Sequence, residues 1–205
     1  MSGSNRPENS VNDNPMIRLL AGPARALALL GGWWLLALSF ATVGEILARK
    51  FWGRSFQGID ELGGYTTAAF SALAFSWALL SKSHTRVDFL LGRMPDILRA
   101  VLNALAYATL AGLAVFGTWR GWHVLAESIE FQATANSPLG TPLWIPQSLW
   151  LLGLGAFATC AVVLAAHALV LLLTDRTRLN RLYGPMSLDE EIAVEAGAIL
   201  GRKKP

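Results

Sequence analysis

The chain has a single cysteine, Cys160, inside an apolar run. An intrachain disulfide and a cysteine metal cluster are therefore excluded. Charge is scarce as well, at 15% of residues against roughly 25% in soluble domains. Three histidines fall in three separate regions, and no HExxH, phosphate-binding glycine loop or nucleophile motif is present. That pattern argues against an enzyme and offers no cofactor or metal site. The formal net charge is +3, but the basic residues lie in loops without an aromatic-basic stacking surface. Nucleic acid is not a partner on this pattern, whereas anionic membrane lipid suits those loops. The paired broken helices of a self-contained secondary transporter are also missing; Gly31-Gly32 and Gly63-Gly64 are the nearest approach.

What the chain does have is apolar length. It is 53% hydrophobic, with eight tryptophans and a mean hydropathy of +0.42. Four apolar segments can be drawn: Ala26–Leu47, Leu62–Leu80, Ala100–Trp119 and Ser148–Thr174. The expected fold class is all-α, an integral membrane protein with four transmembrane helices. The expected domains are a disordered tail and interfacial lead-in over 1–25, the transmembrane domain over 26–174, and a basic/acidic tail over 175–205. The polar interval Ser81–Arg99 becomes the central loop. With the N-tail and C-tail, it carries 13 of the 17 Lys and Arg residues. The positive-inside rule then puts both termini in the cytoplasm.

Several polar residues stand out against this background. Glu45 closes the first span as an interfacial charge that snorkels or pairs, with a partner-contact or ion-linked role as the other reading. Asn103 and Tyr107 are four apart and share a helix face, Asn103 being suited to tying helices together. Trp122, Leu125 and Ile129 form a stripe that carries the third helix past the membrane. Pro138, Pro142 and Pro146 punctuate the approach to the fourth span. His167, inside that span, reads as a buried neutral histidine sharing a hydrogen bond. His84 and Asp88 are four apart and face each other if a helix continues there.

Arg49 with Phe51, then Glu61-Leu62 and Tyr65, then His84-Thr85-Arg86-Val87-Asp88 occur in that order around the second apolar segment. This run resembles the small membrane subunit of tripartite ATP-independent periplasmic (TRAP) transporters, the DctQ-like family. Pro95 and Leu143–Pro146 fit the same pattern, and the resemblance covers roughly Arg25–Thr174. It implies an accessory scaffold subunit in the bacterial inner membrane. The partners it implies are a large DctM-like membrane subunit and a DctP-like periplasmic solute-binding protein. Sodium-driven import of an organic acid or related solute follows, with the sodium sites in the large subunit and no cofactor here. A stand-alone small transporter or channel is the alternative.

On this reading Arg49, Glu61, Tyr65, His84, Arg86 and Asp88 are structural or partner-contact residues. Glu61 opens the second helix and faces a cation, Arg49 being the leading candidate. His84, Arg86 and Asp88 clamp the cytoplasmic membrane edge. Arg54, His123, Glu127 and Glu130 belong to a periplasmic docking surface, where exposed charges flank apolar anchors.

Overall fold

The structure is a computed structural model that describes residues 14–53, 58–81, 94–137 and 139–184. Five helices occur among the described residues: α1 Pro15–Trp52, α2 Ile59–Leu80, α3 Asp96–Glu130, α4 Trp144–Thr174 and α5 Arg176–Tyr183.

Helix α1 starts where Asn14 accepts a hydrogen bond from the Met16 amide at 3.1 Å, with Pro15 at the first helical position. There the missing N–H of proline costs nothing. The helix therefore already includes residues 15–25, which the sequence reading set apart as a lead-in. Pro23 removes one backbone bond from its interior. Gly53, at φ 64°, ends it in the left-handed conformation, after Arg49 and Lys50 in the last turn.

The buried positions of α1 are Ile17, Ala24, Gly31 and Glu45, with half-buried Leu38 completing a seven-residue spacing. Such a repeat keeps one narrow seam against a neighbouring helix. That neighbour is α2. A Cβ on Gly31 would sit 3.0 Å from Phe70 Cδ1, and Trp34 Nε1 donates to Thr66 Oγ1 at 3.3 Å. Much of the rest of α1, including Leu30, Trp33, Phe40, Val43 and Trp52, is exposed.

Helix α4 packs on α2 and α3 together. A Cβ on Gly153 would lie 2.7 Å from the Ala72 carbonyl carbon, so only glycine allows α4 that close to α2. The core across α3 and α4 is built mostly from alanines, among them Ala100, Ala104, Ala161 and Ala168, with Leu164 between them. Small side chains let helix backbones approach where lipid supplies no hydrophobic drive.

The expected count of four spans is corrected. Among the described residues, three helices are long and apolar enough to cross a membrane: α1, α3 and α4. The exception is α2. Asp60, Glu61, Gly63, Gly64, Tyr65, Thr66 and Thr67 fill its first half, leaving Ala68–Leu80 as its apolar stretch. That is well short of the roughly 20 residues a bilayer crossing requires and is in the range of a core helix. The structure uses it as one, between α1 and α4. With this correction the span count alone no longer fixes on which side the termini lie.

Candidate docking and partner-contact surfaces

The bundle has two dissimilar ends. At one end lie the starts of α1 and α3, the ends of α2 and α4, and α5. Asp175 breaks the helical path and caps α5, its Oδ1 accepting from the Arg178 amide at 2.9 Å. The short helix then folds onto α3 and α4. Leu179, Leu182 and Tyr183, at i, i+3 and i+4, are buried. Asn103, 2% exposed, donates to Asn180 Oδ1 at 3.2 Å, and Asn180 Nδ2 donates to the Asp96 carbonyl at 3.0 Å. His167 Nδ1 and the Tyr183 hydroxyl share a hydrogen bond of 2.6 Å. Tyr107 meets the Tyr183 ring edge-on, with centroids 4.8 Å apart. Burial pushes the Tyr183 phenol up to about 12; Tyr107 adds to this and a contact with Asn14 opposes it.

The expected helix tie through Asn103 and the hydrogen-bonded His167 are both seen. Their partners, Asn180 and Tyr183, were not anticipated, because both sit in a basic segment assigned to the tail. The i, i+3, i+4 spacing of Leu179, Leu182 and Tyr183 was the available signal for a docked helix.

At the other end, the described residues of 131–143 form a compact connector between α3 and α4. The Ala135 amide donates to the Thr141 carbonyl at 2.9 Å, and the Leu143 amide to the Ala133 carbonyl at 2.9 Å. Gly140 takes φ 55° in its turn. Leu139 seats against Gly58, where a Cβ would collide with the Leu139 side chain. Gly58 also has φ 104°, a backbone conformation that calls for glycine.

Glu61 stands where this connector meets α2. Its Oε1 accepts from the Tyr65 hydroxyl at 2.8 Å. Ser137 holds the Glu61 carboxyl below its ordinary 4.5, helped by Tyr65 and Thr141, while burial works against them. Its Oε2 and Ser137 Oγ are nonetheless both buried without a hydrogen bond of good geometry. Burial, then Glu61, raises the Tyr65 phenol. Among the described residues, Arg49 and Glu61 form no ion pair. Arg49 forms an ion pair with Glu45, four residues back on its own helix. Glu45, at 4% exposure, therefore pairs rather than snorkels.

His123, Glu127 and Glu130 are exposed on the last turns of α3, His123 edge-on to Trp119 at 5.0 Å. The helix does run on to Glu130, but the stripe of Trp122, Leu125 and Ile129 does not share one environment. Leu125 is buried with Gly121 and Ser128, while Trp122 and Ile129 are exposed. Around them Phe51, Trp52, Phe131, Leu139 and Trp144 are also exposed. Arg54, His84, Arg86 and Asp88 lie outside the described residues. Among the described residues, no three His, Cys, Asp or Glu side chains gather in a way that could hold a metal.

The family model for the DctQ component of tripartite ATP-independent periplasmic transporters matches residues 38–174. The chain belongs to this DctQ family. No curated protein and no solved structure matches it. DctQ components are non-catalytic parts of a transporter and function with DctM and DctP partners. The helical, multi-span architecture is that of an inner-membrane protein.

Proposed function

We propose that this chain is the small scaffold subunit of a sodium-driven transporter importing an organic acid or related solute. The large DctM-like subunit carries the substrate and sodium sites. A DctP-like protein delivers solute from the periplasm. The observation that carries the scaffold role is the surface of α1. One seam is consumed by α2, and the remaining apolar face is exposed along the helix. Such a face suits lipid and a large membrane partner.

The connector end is the docking surface for the binding protein. Its charges, His123, Glu127 and Glu130, stand beside the exposed aromatics Trp122, Phe131 and Trp144. This is the mixture of steering charge and apolar anchor that transient interfaces use. The α5 end faces the cytoplasm. Arg18, Arg25, Arg99, Arg176, Arg178 and Arg181 lie toward it, against Arg49, Lys50 and Arg120 toward the other. Arg86 and Asp88 serve assembly with the large subunit.

Co-expression with the cognate large subunit, followed by mild-detergent purification, tests the scaffold role. One stable hetero-complex is expected. A chain that stays apart from an abundant, folded large subunit contradicts it. In vesicles holding the complex, Asp88→Asn and Arg86→Lys should reduce recovered complex and uptake with little change in apparent KM. Normal assembly with a large KM change would instead assign these residues to substrate handling.

A further inference from the structure

We propose that the outer face of α5, together with the last turns of α4, binds the headgroup of an anionic phospholipid. Helix α5 has already spent its apolar side. Leu179, Leu182 and Tyr183 are buried in the bundle, and Asn180 is held by Asn103 and the Asp96 carbonyl. What remains outward is Arg176, Arg178 and Arg181, all exposed within two helical turns. The acid on this segment, Asp175, uses Oδ1 to cap the helix. Arg176 is drawn back to the end of α4, its Nε donating to the Leu172 carbonyl at 3.4 Å.

The position of these cations decides the occupant. Only Asp175 separates α5 from α4, and α4 is apolar and long enough to cross the membrane. The arginines therefore stand at headgroup depth. Directly below them α4 exposes Leu169, Val170 and Leu173, the last at 86%. A lipid lying there would set its acyl chains along those side chains and its phosphate among the guanidiniums. Arginine meets phosphate oxygens through paired N–H donors, which a zwitterionic headgroup engages less favourably than a net anion. The fixed attachment of α5 holds this cationic face in place before a lipid arrives. The site is separate from the docking surface and requires no partner subunit.

The test uses the full chain in nanodiscs of phosphatidylcholine containing a minor fraction of phosphatidylglycerol. Native mass spectrometry reads which lipid stays bound. The wild type should retain phosphatidylglycerol preferentially. The combined Arg176→Gln, Arg178→Gln and Arg181→Gln variant should lose that preference by about tenfold or more. Lysine at all three positions should restore part of it, and Arg120→Gln, toward the other end, should leave it intact. Should the triple variant fail to fold, Arg181→Gln alone should still lower the preference. Equal retention in the wild type and the folded glutamine variants would overturn the site. So would an equal loss in Arg120→Gln. Full displacement by inorganic phosphate would show a free-anion site instead. Selectivity appearing only with a bound protein partner would assign the arginines to that partner. Either result rejects the lipid site.

Discussion

At the α5 end, helices far apart in sequence are joined by specific side-chain bonds. Asn103 reaches Asn180, and His167 reaches Tyr183. Asn14 Nδ2 is the buried polar atom left without a partner beside them. At the connector end there are three: Glu61 is satisfied at one oxygen by Tyr65, while its Oε2, Ser137 Oγ and Gln147 Oε1 are buried without a hydrogen bond of good geometry. Large aromatics there stay in the open: Trp52 is 74% exposed and Phe131 70%. Buried polar groups left unmatched weaken a structure, whereas matched ones fix it. One end is thus built to set the arrangement of helices. The other keeps surface and polar capacity for something that arrives later.

The largest effect should come from removing the ring at the centre of the α5 end. Tyr183→Ala should destabilise the folded protein by about 3–5 kcal/mol, as for other buried aromatics. Thermal unfolding in detergent, followed by tryptophan fluorescence, reads this. Tyr183→Phe keeps the ring and leaves His167 Nδ1 unmatched, which should cost about 1–3 kcal/mol. Asn103→Ala belongs to the same range, since it strands Asn180. None of the three should alter uptake per assembled complex. A selective loss of uptake at full stability would blur the distinction between the ends.

Glu61→Gln should do the opposite. It should lower the melting temperature only modestly and lower binding-protein-dependent uptake severalfold. Charge reversal at Arg54, Glu127 or Glu130 should act in the same direction more weakly, and more at low salt. Unchanged uptake across all three reversals at limiting binding protein would remove the docking role of this end.

The two ends should also separate by pH. The Glu61 carboxyl is lowered in the folded protein. Its contribution is therefore present above the ordinary 4.5 and is lost as pH falls through the lowered value. The Tyr183 phenol is raised from 10.0 to about 12. Its contribution is present below pH 10.0 and is lost as pH rises toward about 12. Amide exchange at Ala135 and Leu143 should accelerate in acid, and that response should vanish in Glu61→Gln. Exchange at Gly184, whose amide donates to the Asn180 carbonyl, should accelerate in alkali. Acid sensitivity at Gly184 matching that at Ala135 would argue against two independent ends.

The smallest effect concerns Arg49. Since its partner is Glu45, Arg49→Ala and Glu61→Gln should be additive in a double-mutant cycle, while Arg49→Ala and Glu45→Gln should couple.

Much of this was readable in the residues, and the failures have physical causes. The apolar runs gave α1, α3 and α4, and the end of α4 at Thr174 agrees with the sequence reading. Helix α2 was read as a span because Leu62–Leu80 is an apolar segment, but the small residues Gly63 and Gly64, with Tyr65, Thr66 and Thr67, leave an apolar stretch too short to cross. The same feature that makes it a good core helix lowers its apolar character. Glu45 lies four residues before Arg49, the ordinary spacing for a helical ion pair, so a nearer partner was visible in the sequence. Tyr183 and Asn180 were invisible for another reason. Their partners are 16 and 77 residues away, and no periodicity reports contacts between separate helices. Ser137 and Thr141 gave no signal beyond marking a turn among prolines.

The central claim is that the connector end receives the binding protein and the α5 end does not. Hydrogen–deuterium exchange on the assembled transporter, with and without its solute-binding protein, tests it most directly. The account predicts added protection in residues 131–143 and the first turns of α2, with α5 unchanged. Protection of α5 with an unchanged connector would contradict it.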